Sequence, residues 1–410
     1  MDLTMVQTVK SAGQVRLLPF IFLGTAAVIA LYSGSATLIA LQVEQFDPVN
    51  KVANLGLITG ISSVFATVFN PIGGALSDRT RSRFGRRNPW LLGGSVAGVA
   101  TMVFLGMADN LLMLGIGWCL AQGVYNLYQA ALLAIIPDRV TNERRGTASA
   151  VMGIGLPVGG VVGAVTAANF ATDTSFGYLI FGGAVVAAAV LLVFFTRDPR
   201  PGEYQVAEPS GLVASFLFAL RHRDFLLVFV GRAMMILGYF MVLGFMLYIL
   251  KDHIGLPADL HPAAAVAQIT MISTVCSVLA TVIGGPLSDR LDRRKAFVVI
   301  SGVVAALALV IPLVAPSWPM MQVYAAVHGF AFGIYGAVDL AIATLVLPSQ
   351  GDAARDMGVL NIAGAGPQIA APFVASVIIN ALGGYPALFA VATVVCLIGA
   401  LALIPVKGVR

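Results

Sequence analysis

The chain has 410 residues, of which 59% are apolar (AVILMFWYC) and only 10% charged, with a formal net charge of +5. A soluble domain carries about 25% charged residues, so this composition excludes a water-covered globule. The positive charges stand in short loops between apolar runs, which marks them as a topology signal and not as a nucleic-acid surface.

Cys119, Cys276 and Cys396 all fall inside apolar runs. They form neither a disulfide framework nor a zinc spacing, and no cofactor or metal is expected. The first sixteen residues hold Lys10 and Arg16 with no h-region or small-residue cleavage site, so no removable signal peptide is expected.

Stretches able to cross about 30 Å of hydrocarbon recur at 17–43, 52–76, 90–108, 111–136, 147–171, 176–196, 224–250, 263–287, 296–315, 320–347, 357–382 and 384–405. They predict an all-α integral membrane fold of twelve transmembrane helices. With the N-terminus in the cytosol, the cytosolic segments hold 21 of the 24 Lys and Arg residues. The opposite loops hold Lys51 and Lys251, and Arg232 lies within a span. This bias places both termini in the cytosol of a plasma (inner) membrane protein.

Taken in chain order, span one offers Tyr32. Loop 2–3 reads Gly73-Gly74-Ala75-Leu76-Ser77-Asp78-Arg79, followed by Thr80-Arg81-Ser82-Arg83-Phe84-Gly85-Arg86-Arg87. Span four presents Gln122, Tyr125 and Gln129 on one face, with Asn126 beside them. In span five, Gly155, Gly159 and Gly163 form a small-xxx-small stripe suited to close helix packing. Residues 197–223 are Pro-rich and charged at both ends, and read as a cytosolic linker between 1–196 and 224–410. Span seven carries Arg232 and Tyr239.

Loop 8–9 then repeats loop 2–3: Gly284-Gly285-Pro286-Leu287-Ser288-Asp289-Arg290 lies 211 residues after its counterpart. At an offset of 210, Gly123-Val124-Tyr125 falls on Gly333-Ile334-Tyr335. Span ten carries His328, Phe332, Tyr335 and Asp339 on one face, and span eleven carries Asn361 and Gln368. A duplicated six-helix unit is a transporter architecture.

Two charges lie well inside spans. Arg232 is eight residues past Asp224 and Asp339 eight before Leu347, so each lies roughly 12 Å from the inner membrane edge. Charges at such depth are expensive and need partners, and equal depth makes these two plausible partners for each other. A buried carboxylate beside an arginine is suited to proton uptake and release, so Asp339, Arg232 and His328 are proton-coupling candidates. Snorkelling of Arg232, a structural ion pair and simple packing of His328 are the alternatives.

The run from Gly74 to Arg87 resembles the loop 2–3 signature of the major facilitator superfamily, and Gly285 to Lys295 resembles its shorter copy. Continued through Asn88-Pro89-Trp90, the longer form is similar to the glycoside–pentoside–hexuronide and sucrose-type sugar symporters. The resemblance implies two pseudo-symmetric six-helix bundles working by alternating access, with helices one, four, seven and ten lining a central cavity. Gly74 permits close helix approach, and Asp78, at the cytosolic membrane edge, can accept hydrogen bonds from arginine or from an opposing helix N-terminus. Gly74, Asp78, Arg79, Gly85, Arg86, Arg87, Gly285, Asp289 and Arg290 are therefore expected to form a conformational gate, with a role in topology alone as the alternative. One departure stands out: the bacterial sugar–cation symporters of that group use acidic residues in span two, and span two here has none, which speaks against a sodium site there.

Tyr32, Gln122, Tyr125, Asn126, Gln129, Arg232, Tyr239, His328, Tyr335, Asp339, Asn361 and Gln368 are the candidate solute-binding residues. Aromatic faces with amides and a carboxylate suit a small polar organic solute, sugar-like, carried with a proton by a monomer in the lipid bilayer. Proton-antiport export of a drug or metabolite is the alternative, supported by Met234, Met235 and Met241. A membrane enzyme would need a catalytic constellation, and the chain has no HExxH and no GxSxG. No Walker sequence is present either.

Overall fold

A computed structural model describes residues 3–141, 144–196, 221–345 and 353–406, and no strand occurs among them. Twelve long helices follow one another: α1 Leu3–Phe46, α2 Lys51–Arg79, α3 Asn88–Gly106, α4 Leu111–Leu133, α5 Arg145–Asn169 and α6 Thr174–Phe195, then α7 Arg223–Leu243, α8 Pro262–Leu291, α9 Arg294–Ala308, α10 Trp318–Leu345, α11 Ala353–Ala381 and α12 Gly384–Leu401. Eleven helices among the described residues are long and apolar enough to cross a bilayer. α10 is equally long but carries His328, Tyr335 and Asp339. The expected linker lies outside the described residues except for 221–223.

Helix ends follow local chemistry. Asn110 caps α4 by accepting the Met113 amide at 2.9 Å, and Asp173 caps α6 by accepting the Phe176 amide at 3.0 Å. Each satisfies an amide that the first helical turn would otherwise leave bare. Three spans are broken where one helix was expected; the first is α4, which ends at Leu133 and is followed by a short helix, Ile135–Arg139. α7 stops at Leu243 and the chain continues through a short turn, Met246–Tyr248, into a wide π-helical turn, Ile249–Ile254. α9 stops at Ala308, and Pro312 sits inside the short helix Val310–Val314 that follows. A proline removes an amide donor, and the helix cannot run through it undisturbed.

The chain divides into two compact units, Met1–Lys51 with Ile61–Val206, and Val52–Gly60 with Ala207–Arg410. In the first, α1 packs on α5 and α6, and α3 on α4 and α6. The glycine stripe of α5 faces α1: a Cβ at Gly159 would meet the Ala26 carbonyl oxygen at 2.5 Å, and one at Gly163 the Ala30 oxygen at 2.3 Å. Without side chains there, backbone meets backbone, the contact that helices use where water supplies no hydrophobic drive.

In the second unit, α8 packs on α10, α7 on α11 and α12, and α9 on α10 and α12. The opening turns of α2, residues 52–60, belong to this unit rather than to the N-terminal half expected from sequence. There a Cβ at Gly60 would strike the Phe373 ring at 2.3 Å, and Ser376 donates to the Val52 carbonyl at 3.2 Å.

Candidate functional site

α7 and α10 lie side by side in the second unit and bring together the two intramembrane charges. Arg232 Nη1 is 3.0 Å from Asp339 Oδ2, and the Tyr335 hydroxyl donates to Asp339 Oδ1 at 3.2 Å. Both carboxylate oxygens are therefore occupied, and Asp339 is only 8% exposed. The guanidinium is less fully served. Arg232 Nε is buried with no hydrogen-bond partner among the described residues.

Two turns along α7 from Arg232, Tyr239 stacks on Phe332 of α10 with ring centroids 4.5 Å apart and planes 16° from parallel. His328 stacks on both, at 5.8 Å from Tyr239 and 5.9 Å from Phe332, with Tyr324 tilted beside it at 5.2 Å. Phe332 in turn stacks on Tyr335 at 5.9 Å. A continuous aromatic ladder thus runs down α10 to the ion pair. The spacing of 4, 4 and 3 residues from Tyr324 to Tyr335, with 4 more to Asp339, is what places these rings and the carboxylate on one face.

The first unit carries a second polar cluster, built on the amide of Asn126. Its Nδ2 donates to the Tyr32 hydroxyl at 3.2 Å and to the Gln122 side-chain and backbone oxygens at 3.2 and 2.8 Å. Its Oδ1 accepts from Asn70 Nδ2 of α2 at 3.3 Å. Asn70 was not among the sequence candidates. The signal was there: one amide in the apolar second half of span two, followed by Pro71.

Not every candidate joins these clusters. Tyr125 is fully buried with its ring against Gly98 of α3, where a Cβ would meet it at 2.4 Å. Its hydroxyl has no partner among the described residues. Expected on a solute-facing surface, it is enclosed in helix packing instead. Gln129 is half-buried on α4 and Gln368 is exposed on α11. The side chain of Asn361 lies outside the described residues, as does that of Asp289.

Loop 2–3 folds into a compact charged knot. Asp78 pairs with both Arg86 and Arg87, the latter at 2.6 Å, and Arg87 Nε donates to Asp138 Oδ2 at 2.7 Å. Arg87 also donates to the Ser77 hydroxyl and is only 2% exposed. Gly85 has a φ of +98°, a conformation that side chains resist. Arg79 and Arg290 are exposed. Gly74 was expected to permit close helix approach, yet a Cβ there meets nothing within 4 Å; Gly73 takes that role, with Leu127 Cα at 2.7 Å. The repeat behaves alike: a Cβ at Gly285 reaches only Ala337 at 4.0 Å, while one at Gly284 meets Ile334 at 2.9 Å.

Among the described residues no group of three or more His, Cys, Asp or Glu could hold a metal ion.

Comparison with known proteins places this architecture. The family described as Major Facilitator Superfamily matches residues 21–265 and 228–409. The MFS transporter asaE of Aspergillus flavus is 24% identical over 81% of this chain and 73% of its own length. The Fujikurins efflux protein of Gibberella fujikuroi is 24% identical over 85% of this chain and 72% of its own. Among solved structures, the nucleoside transporter NupG superposes with a TM-score of 0.76 over 95% of this chain and 99% of its own, at 13% identity. That last likeness is one of fold alone.

Proposed function

Because the chain belongs to the Major Facilitator Superfamily, we propose that it is a proton-coupled secondary transporter that exports a small organic solute, with Asp339 carrying the proton. The family makes it a multi-pass membrane transporter and not an enzyme.

The observation that carries the reading is the buried Arg232–Asp339 pair at 3.0 Å. A carboxylate at this depth needs either a cation or a proton beside it. In the cytosol-facing state solute binding expels the proton from Asp339, whose carboxylate then pairs with Arg232; outside, the solute leaves and Asp339 takes up a proton, which it carries inward. The bare Nε of Arg232 supplies a donor for an incoming oxygen, and the ladder of Tyr239, Phe332 and His328 offers flat faces to an aromatic or ring-shaped body. Tyr335 holds the carboxylate in place meanwhile.

Export is favoured over uptake by the aromatic character of this site and by the relative named an efflux protein, which aligns along 85% of the chain. A second reading, proton-driven uptake of a sugar-like solute, draws on the cluster of Tyr32, Gln122, Asn70 and Asn126, whose amides suit hydroxyl groups. In either reading Asp78, Arg79, Gly85, Arg86 and Arg87, with Gly285, Asp289 and Arg290 in the repeat, serve as a gate whose pairings differ between conformations. The chain then works as a monomer in the plasma membrane with both termini in the cytosol.

Proteoliposomes separate the readings. Solute added outside acidifies the external medium if it exchanges for protons, and alkalinises it if it enters with them. A panel of flat amphiphiles and of sugars identifies the class. Asp339→Asn is expected to bind solute and move no protons; proton movement persisting in that variant would remove Asp339 from the coupling step.

A further inference from the structure

Away from the ion pair and the amide cluster, the first unit holds a groove of about 380 Å³ between α2, α3 and α4, lined by Thr80, Pro89, Trp90, Gly93, Ala97 and Leu127 among others. Its lining is almost wholly carbon. The one polar pair at its end is already satisfied, since Trp90 Nε1 donates to the Thr80 hydroxyl at 2.8 Å. Nothing in it would orient a polar solute.

The groove faces lipid. The exposed positions of α3 from Gly93 onward are Gly93, Val96, Ala97, Ala100 and Val103, all apolar, on a helix able to span a bilayer. The small residues of α3 create the hollow: a Cβ at Gly93 would meet no atom within 4 Å. An apolar slot that helices leave unfilled in the hydrocarbon layer must be filled by an acyl chain.

The mouth of the groove has a different character. Thr80 at its end is flanked in sequence by Arg79 and Arg81, with Arg83 two residues further on, and all three arginines are exposed. None of the three makes an ion pair among the described residues, in contrast to the buried Arg87. Arg83 lies over the Phe84 ring at 4.8 Å, at the level where aromatic and cationic side chains meet headgroups. Trp90 at the groove's end is an anchor of the same kind.

We propose that this groove is a binding site for one anionic phospholipid, its acyl chain lying along Gly93 and Ala97 and its phosphate held by Arg81 and Arg83. Basic clusters beside a membrane helix attract acidic headgroups, and the slot converts that attraction into a defined place.

The test uses the full chain with Trp118 and Trp318 replaced by Phe, so that Trp90 alone reports. Reconstituted with phosphatidylglycerol brominated on its acyl chains, Trp90 is quenched at a lower lipid fraction than with brominated phosphatidylcholine. Retention of a single phosphatidylglycerol is followed in parallel by native mass spectrometry. Gly93→Leu fills the slot and removes quenching by both lipids. Arg81→Gln with Arg83→Gln leaves the slot but removes the preference for the anionic lipid, which falls by about five-fold per arginine. Equal quenching by the two lipids in the parent protein would overturn the headgroup assignment. Quenching and retention unchanged in Gly93→Leu would overturn the site itself, and the native mass reports this even if tryptophan emission shifts.

Discussion

Arg232 of α7 and Asp339 of α10 sit 107 residues apart in sequence and 3.0 Å apart in space, the two charges that lie well inside their spans. Their mutual dependence has a measurable signature. Losing one partner strands the other charge away from water, which costs about 3–5 kcal/mol, whereas removing both leaves two neutral groups. Arg232→Met alone should therefore lower the melting temperature of the detergent-solubilised protein well below that of Arg232→Met combined with Asp339→Asn. Equal melting of the single and double variants would show that the pair contributes nothing.

Arg87 makes a different kind of demand. It reaches Asp78, Asp138 and Ser77 at once while only 2% exposed. A planar fork can do this and an ammonium cannot, so Arg87→Lys is not conservative here. Destabilisation of about 2 kcal/mol follows from breaking a charge-assisted set made by a buried guanidinium, with the half-buried Asp138 losing its 2.7 Å partner. The same change at the exposed Arg81 should move the melting curve little, and the comparison is made by thermal unfolding.

The stripe on α5 predicts a sharp contrast between neighbours. A methyl group at Gly163 would fall 2.3 Å from the Ala30 carbonyl oxygen, while at Gly160 it meets nothing within 4 Å. Gly163→Ala should cost about 1–3 kcal/mol through forced separation of α1 and α5. Gly160→Ala should be neutral. Monodispersity and melting in detergent report both.

His253 lies beyond the end of α7, where its ring packs near Tyr385 and Phe389 at 6.2 and 6.3 Å. Burial holds its imidazole below the usual histidine range. A histidine lowered in the folded state binds fewer protons there than in the unfolded chain, so its contribution to stability is complete above the ordinary value of about 6.5 and declines as the pH falls below it. The ring is only partly covered, which keeps the effect small. His253→Phe should flatten the acid side of the melting-temperature profile and leave the profile above pH 7 unchanged.

The amide cluster yields a test independent of charge. Asn126 joins α1, α2 and α4 through Tyr32 and Asn70. Asn126→Leu strands those groups and should lower stability by about 1–2 kcal/mol, close to the sum expected of weak interhelical hydrogen bonds. Asn70→Ala should cost less, since it removes one bond of 3.3 Å.

Much of this architecture could be read without coordinates. Lipid permits few designs: every spanning segment must satisfy its own backbone, so helices of about 20 apolar residues had to appear, and charges had to fall in loops or find partners. That is why the twelve helices, the duplicated loops at Asp78 and Asp289, and the matching depths of Arg232 and Asp339 were visible in the order of residues alone. Packing followed another rule. Which face of a helix meets which neighbour depends on how the helices are rotated and crossed, and sequence spacing leaves that angle open. It turned Tyr125 inward onto Gly98, gave the close approach to Gly73 instead of Gly74, drew Asn70 to Asn126, and assigned the first turns of α2 to the second unit. Depth in the membrane belongs to the chain's order; direction around each helix axis is settled only when the helices touch.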